Sequence, residues 1–237
     1  MAEEKAVVLI TGASSGIGRA TAKRFAQGDW RVVLFARREE LLKELAQGIN
    51  EEGGEALHFA GDIRSLEDIS RVVGVIRDQF GRLDCLVNNA GIYRHAEVVE
   101  QKPGELIELW ETNLYGPFML TRNCLPLLRK SRGTVVFVSS IAAREWYRGN
   151  AAYSATKAAL AALAGVLREE EREHGVRVSV LFPGATYTPI WDHIPSQADP
   201  ERMVSAEQVA EVILQVANLG ENASLDEVVI RPRGGSL

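Results

Sequence analysis

Only two cysteines occur among the 237 residues, too few for the disulfide framework of a small stapled scaffold. Cys85 sits in LDCLVNN and Cys124 in TRNCLPLL, apolar settings where a free thiol behaves as a small hydrophobe, so a reducing, cytoplasmic compartment is expected. Histidine is scarce too. His58, His95, His174 and His193 show no ligand-like spacing and neither cysteine joins them, so no metal site is expected. Positive charge is not in excess: 27 Lys and Arg against 32 Asp and Glu leave a net charge of −5, which gives no reason to expect nucleic acid or an anionic membrane as a partner. Long hydrophobic runs are missing, since the opening MAEEKAVVLIT holds a short run behind an acidic flank, suited neither to a membrane span nor to a secretion signal. Repeats, low-complexity tracts and linkers are absent as well. With 46% hydrophobic residues the chain can bury a large core, and one domain over 1–237 is expected.

What the sequence does contain is an alternation of two periods. Short β-branched runs at 6–11, 31–36, 55–60, 84–89, 133–140, 176–182 and 226–231 predict strands, and amphipathic stretches near 16–28, 39–52, 65–80, 103–130, 151–174 and 205–219 predict helices. The inner strand runs are apolar without interruption, as happens when helices cover both faces of a parallel sheet. The expected fold is therefore α/β and doubly wound, a seven-stranded parallel sheet with helices on both faces. Ser65 three residues before Asp68 predicts a helix cap, and His174-Gly175 a helix end. The stretch 185–204 is the least regular, with three prolines, and is expected to be a flap over a site.

Directly after the first strand comes TGASSGIG, with Gly12, Gly16 and Gly18 at the mouth of the first helix. Glycines there let the backbone turn tightly and approach a pyrophosphate, which the free N–H groups of a helix N-terminus attract. That placement predicts a Rossmann-type dinucleotide site in which Ser14, Ser15 and Ile17 share the turn. No P-loop lysine follows. At the end of the second strand, where a carboxylate would bind the ribose 2′-OH of NAD, the chain has LFARREE. Arg37, with Arg38 beside it, offers a planar cation for a 2′-phosphate, so NADP(H) is the expected cofactor. The other reading of these arginines is a solvated charge pair leading a helix.

One more feature stands out in a helix otherwise made of small residues. Y-S-A-T-K at 153–157 sets a phenol and an ammonium one turn apart on the same face. A phenol has an ordinary pKa near 10, so acid and base work near neutrality calls for a neighbouring positive charge, which Lys157 supplies.

Taken in order, TGASSGIG at 11–18, NNAG at 88–91, NLYG at 113–116, SS at 139–140, YSATK at 153–157 and PG-x-x-x-T at 183–188 resemble the short-chain dehydrogenase/reductase family over essentially the whole chain. The resemblance implies that Tyr153 is the catalytic tyrosine, Lys157 the lysine that supports it, Ser140 the serine that binds the substrate oxygen, and Asn113 the asparagine of a proton relay. It also implies that Asp62, with Ile63, contacts the adenine, that Asn89, Ala90 and Gly91 flank the adenosine ribose, and that Pro183, Gly184 and Thr188 embrace the nicotinamide. A basic residue often precedes the second glycine in NADP-preferring relatives; Ser15 stands there here, so the NADP preference rests mainly on Arg37.

The activity so implied is hydride transfer between NADP(H) and a carbonyl or secondary-alcohol substrate, a small molecule. A 3-oxoacyl-thioester reductase of fatty-acid synthesis is the alternative within this chemistry, and a non-catalytic NADP-binding sensor the alternative outside it. Pocket walls are expected from 92–96, 141–150 and 185–194, through Tyr93, Arg94, His95, Arg144, Trp146, Tyr147, Tyr187 and Trp191. Some of those aromatics could equally pack a subunit interface. The short flap implies an open pocket suited to bulky carbonyls. The resemblance implies a homodimer or homotetramer built on helices 103–130 and 151–174, where AALAALAG permits close helix approach or simply packs on the sheet.

Overall fold

A computed structural model describes residues 5–193, 199–220 and 222–235. Residues 194–198, which belong to the expected flap and pocket wall, lie outside the described residues.

The apolar runs at the start of the chain alternate between two buried destinations. In β1 (Val7–Thr11), Val8 and Ile10 join one hydrophobic cluster while Val7 and Leu9 join another. Successive side chains of a strand point to opposite faces, so a strand that is apolar throughout must be covered twice. The strands that follow are β2 (Arg31–Ala36), β3 (Glu55–Ala60), β4 (Cys85–Asn88), β5 (Thr134–Val138), β6 (Arg177–Pro183) and, near the end, β9 (Glu227–Ile230). With β1 they form one sheet in the order β3-β2-β1-β4-β5-β6-β9, and every pairing in it is parallel. A two-stranded piece, β7 (Thr186–Tyr187) with β8 (Val204–Ser205), lies apart from it.

Two sets of helices cover the sheet. On one face α1 (Gly16–Gln27), α2 (Glu39–Glu51) and α7 (Ala206–Ala217) contribute Phe25, Leu42 and Ile213 to the first cluster. On the other, α3 (Leu66–Phe80), α5 (Gly116–Ser131) and α6 (Ala151–Glu171) contribute Ile76, Leu120 and Leu160 to the second. Each such side chain stabilises the fold by about 1.5–3 kcal/mol relative to exposure. The predicted caps are in place: Ser65 Oγ accepts from the Asp68 N–H at 3.2 Å, and Gly175 closes the helical segment with φ of 73°. The last turn, Arg172–His174, is 3₁₀ rather than α.

The predicted helix over 103–130 is interrupted. It consists of α4 (Pro103–Trp110), a π turn over Glu111–Tyr115, and α5. Asn113 within that turn is wholly buried; its Oδ1 accepts from the Ile92 N–H at 2.8 Å and its Nδ2 donates to the Ile92 carbonyl at 3.0 Å. Widening the helix by one residue aims the amide at this loop.

Strand order reverses between β1 and β4, and the carboxyl ends of these strands open a crevice where doubly wound folds bind ligands. Thr11 fixes its floor. Its hydroxyl donates to the Val87 carbonyl and accepts from the N–H groups of Asn89 and Ala90, each at 2.9 Å.

Candidate active site

The crevice is a cavity of about 830 Å³ running from the glycine turn, past the ends of β4 and β5, to the segment after β6. All of the predicted site residues line it except Gly18 and Asn113. Gly18 instead packs under the turn, where a Cβ would press on the Gly12 carbonyl and stand 2.6 Å from Asn89 Nδ2. Its missing side chain lets the first helix pack closely on the strand. Asn113 lies one layer behind the wall: a Cβ on Gly91 would stand 3.3 Å from both Asn113 Oδ1 and Lys157 Nζ. A glycine at 91 thus lets the wall run thin over both groups.

At the glycine end, Gly12 and Gly16 take φ of 65° and 51°, conformations that residues with a side chain rarely adopt. Arg38 folds onto this turn. Its Nε and Nη2 donate to Ser14 Oγ at 3.1 and 2.8 Å, and Nη2 donates to Ser15 Oγ at 2.7 Å. The serines keep their own protons free to donate elsewhere. The arginine organised on the turn is therefore Arg38, whereas the sequence placed the main weight on Arg37, which lines the cavity nearby. Asp62 is gripped by Arg64 through side chain and backbone, at 2.7 Å for the shortest ion-pair contact, and these bonds hold its carboxyl below the usual range. These features form a cradle that can hold a dinucleotide, with helix N–H groups for its phosphates.

The other end is organised around α6. Tyr153 and Lys157 share a face, with Lys157 Nζ 5.8 Å from the centre of the phenol ring. Lys157 is buried and donates to the Val138 carbonyl at 3.0 Å. Burial pushes its pKa down to about 8. Burial likewise pushes the Tyr153 phenol up to about 12, opposed by its hydrogen bond with Ser140. Desolvation disfavours the charged form of each group. Ser140 Oγ also accepts from the Ala142 N–H at 3.2 Å, which fixes the hydroxyl at the end of β5.

Of the expected pocket walls, Tyr93, Arg94, His95, Tyr147 and Trp191 line the cavity. Arg144, Trp146 and Tyr187 do not. Arg144 stacks on Phe182 at 3.7 Å from the ring centre and pairs with Glu227, while Trp146 is 81% and Tyr187 60% exposed. The Arg144–Glu227 pair and the Glu145–Arg231 pair, the latter at 2.6 Å, tie the loop after β5 to the end of the chain. Tyr147 donates to Glu145 at 2.5 Å and is held against the cavity by the same strap.

Residues 6–199 match the family described as short chain dehydrogenase. The chain belongs to that family. Among curated relatives, this dehydrogenase is 30% identical to a sepiapterin reductase of Chlorobaculum tepidum over 98% of each chain. It is 32% identical to the L-fucose dehydrogenase of Mus musculus over 92% of this chain and 79% of the other. Among solved structures it resembles an alcohol dehydrogenase from the archaeon Thermococcus sibiricus complexed with 5-hydroxy-NADP, with a TM-score of 0.91, 26% identity and 97% of both chains covered. A metagenomic short-chain oxidoreductase in complex with NADP gives a TM-score of 0.84 at 32% identity over 96% of both chains. Membership makes the protein an oxidoreductase acting on CH–OH groups.

Four residues that shape the dehydrogenase site had no role assigned from the sequence. Besides Thr11, Ser139 donates to the Lys157 carbonyl at 2.9 Å. Thr156 accepts from Asn113 Nδ2 at 3.1 Å and donates to the Tyr153 carbonyl at 2.8 Å. Asn150 accepts from the Tyr93 hydroxyl at 2.6 Å. The first three sit inside the recognised motifs, where their adjacency to Gly12, Ser140 and Lys157 is the available signal. Asn150 has no such signal.

Proposed function

We propose that the protein is an NADP(H)-dependent oxidoreductase that interconverts carbonyl compounds and secondary alcohols, with Tyr153 as general acid and base. The observation that carries this reading is that Ser140, Tyr153 and Lys157 line one cavity together with the glycine turn, with Lys157 Nζ 5.8 Å from the centre of the Tyr153 ring. When bound, the cofactor supplies or accepts the hydride. In reduction, Tyr153 holds the proton that passes to the substrate oxygen, and the Ser140 hydroxyl donates a hydrogen bond to that same oxygen as it gains charge. In oxidation, Tyr153 takes the proton back, and the Lys157 ammonium favours the phenolate. Asn113 commits its amide to Ile92 and Thr156, so it orders the wall behind Lys157.

Three observations support NADP(H) over NAD(H): Ala36 and Arg37, not a carboxylate, stand at the end of β2, Arg38 is anchored on Ser14 and Ser15, and Arg37 lines the same end of the cavity. Both structural neighbours described above were captured with NADP or a derivative of it. The relatives' names, a reductase and a sugar dehydrogenase, agree with C=O and CH–OH chemistry. Tyr147 and Trp191 give the substrate end an aromatic wall, which favours bulky or aromatic carbonyls.

The test is NADPH oxidation across a panel of aromatic ketones, keto-sugars and acetoacetyl thioesters, with wild type and Tyr153→Phe. Turnover that disappears in the variant supports the reading. A preference for acetoacetyl thioesters would move the assignment to 3-oxoacyl-thioester reduction, and NADPH binding without turnover on any substrate would move it to a sensor.

A further inference from the structure

Beside Tyr153 lies a second phenol that the chemistry above does not use. Tyr93 is 6% exposed, and its ring meets the Tyr153 ring edge to face, with centroids 5.0 Å apart and planes at 73°. Its hydroxyl donates to Asn150 Oδ1 at 2.6 Å. Asn150 immediately precedes α6, and its carbonyl accepts from the Ser154 N–H at 2.7 Å, in the turn that carries Tyr153. The segment bearing Tyr93 is held on both sides. Ile92 is bonded through N–H and C=O to Asn113, and the Ala96 N–H donates to the Gly149 carbonyl at 3.0 Å. Gly149, at φ of 77°, leaves its Cβ space to the His95 ring. Tyr93 is thus a strut fixed at its tip and at its base, with its ring on Tyr153.

We propose that Tyr93 is a positioning residue for Tyr153: locked by Asn150, its ring holds the Tyr153 ring in one orientation and keeps water from that side of the phenol. The inference rests on Tyr153 being the acid and base. An acid 1 Å out of place loses much of its rate, whereas binding of the remote cofactor end does not depend on its orientation. Among the described residues, three groups are placed against Tyr153. Lys157 comes from its own helix, Ser140 from the end of β5, and Tyr93 from the 92–96 segment. Nearby charges are paired among themselves, Arg94 with Glu108 at 2.9 Å and Arg148 with Glu97, and His95 lies against Gly149. Since burial is the main cause of the high Tyr153 pKa, removing a ring that excludes water lowers it towards its ordinary value.

The experiment compares wild type, Tyr93→Leu, Tyr93→Phe and Tyr153→Phe, measuring kcat and KM against pH in both directions and NADPH binding by fluorescence. Tyr93→Leu should lower kcat by roughly 10- to 100-fold, leave NADPH binding intact, and move the pH limb lost in Tyr153→Phe to lower pH. Tyr93→Phe keeps the ring and should restore kcat to within about threefold, as expected for one lost hydrogen bond, with the limb back in place. A leucine variant with wild-type kcat and limb, or one altered only in KM, overturns the proposal. Full activity of Tyr153→Phe would instead overturn the reading of Tyr153 itself. If Tyr93→Leu fails to bind NADPH, Asn150→Ala decides. It frees the strut without removing the ring, and should reduce kcat no further in combination with Tyr93→Phe than alone; additive losses overturn the lock.

Discussion

The Lys157 ammonium stands 5.8 Å from the centre of the Tyr153 ring, yet its hydrogen bond goes to the Val138 carbonyl. Among the described residues no carboxylate balances it, and burial pushes its pKa down to about 8. A lysine whose folded pKa lies below its unfolded value binds fewer protons folded than unfolded between those two values, so stability rises with pH in that window. Lys157→Met, which removes the buried charge and keeps the volume, is expected to be more stable than wild type at pH 7 by on the order of 2–3 kcal/mol. The gap should shrink as pH rises from about 8 to the ordinary value of 10.5. Denaturant melts at several pH values check this; a gap independent of pH contradicts it. The same variant should be inactive, a trade of function for stability.

Arg38 braces the turn that Arg37 only neighbours. Removing it costs one charge-assisted phosphate contact, about 1.5–3 kcal/mol, so Arg38→Ala should weaken NADPH binding roughly 10- to 100-fold with NADH little affected. Arg37→Ala should have a smaller effect. Fluorescence titrations with both cofactors measure this, and equal losses for NADPH and NADH would remove the basis for the NADP preference.

Gly91→Ala places a methyl 3.3 Å from Asn113 Oδ1 and from Lys157 Nζ, in a backbone conformation that alanine tolerates. The fold should survive with a loss of about 1–3 kcal/mol, while kcat falls at least tenfold because Lys157 is displaced. A variant with normal kcat would show that Lys157 can move without consequence.

On the surface, α4, the π turn and α5 expose Ile107, Trp110, Tyr115 and Phe118, with Ile107 at 57%. Such a face on helices that the family resemblance assigns to subunit contacts predicts a dimer or tetramer. Light scattering should give a mass at least twice 26.0 kDa, falling to one chain in Ile107→Glu/Phe118→Glu; a monomeric wild type contradicts it.

Much of this was legible in the sequence because it depends on periodicity and spacing. The uninterrupted VVLI and VVLF runs required a sheet covered on both faces, and β1, β2 and β3 fall within one residue of the expected bounds. The motif order brought Ser140, Tyr153 and Lys157 into one cavity. What stayed hidden depends on side-chain direction or on partners far away in the chain. Nothing in the helical pattern of 103–130 announces the π turn, which follows from Asn113 meeting Ile92. Arg37 and Arg38 are adjacent, and only backbone direction decides which one reaches Ser14. Arg144 left the expected pocket wall for Glu227, 83 residues on, and Tyr93 finds Asn150 across 57 residues.

Tyr153 is proposed to move the proton in a reaction with NADP(H). The most direct test is single-turnover oxidation of bound NADPH by a carbonyl identified in the substrate screen, followed in wild type and in Tyr153→Phe after both are shown to bind NADPH equally. The rate should fall by roughly 10²- to 10⁴-fold in the variant, the contribution of a positioned general acid. A variant that oxidises NADPH at the wild-type rate would contradict it.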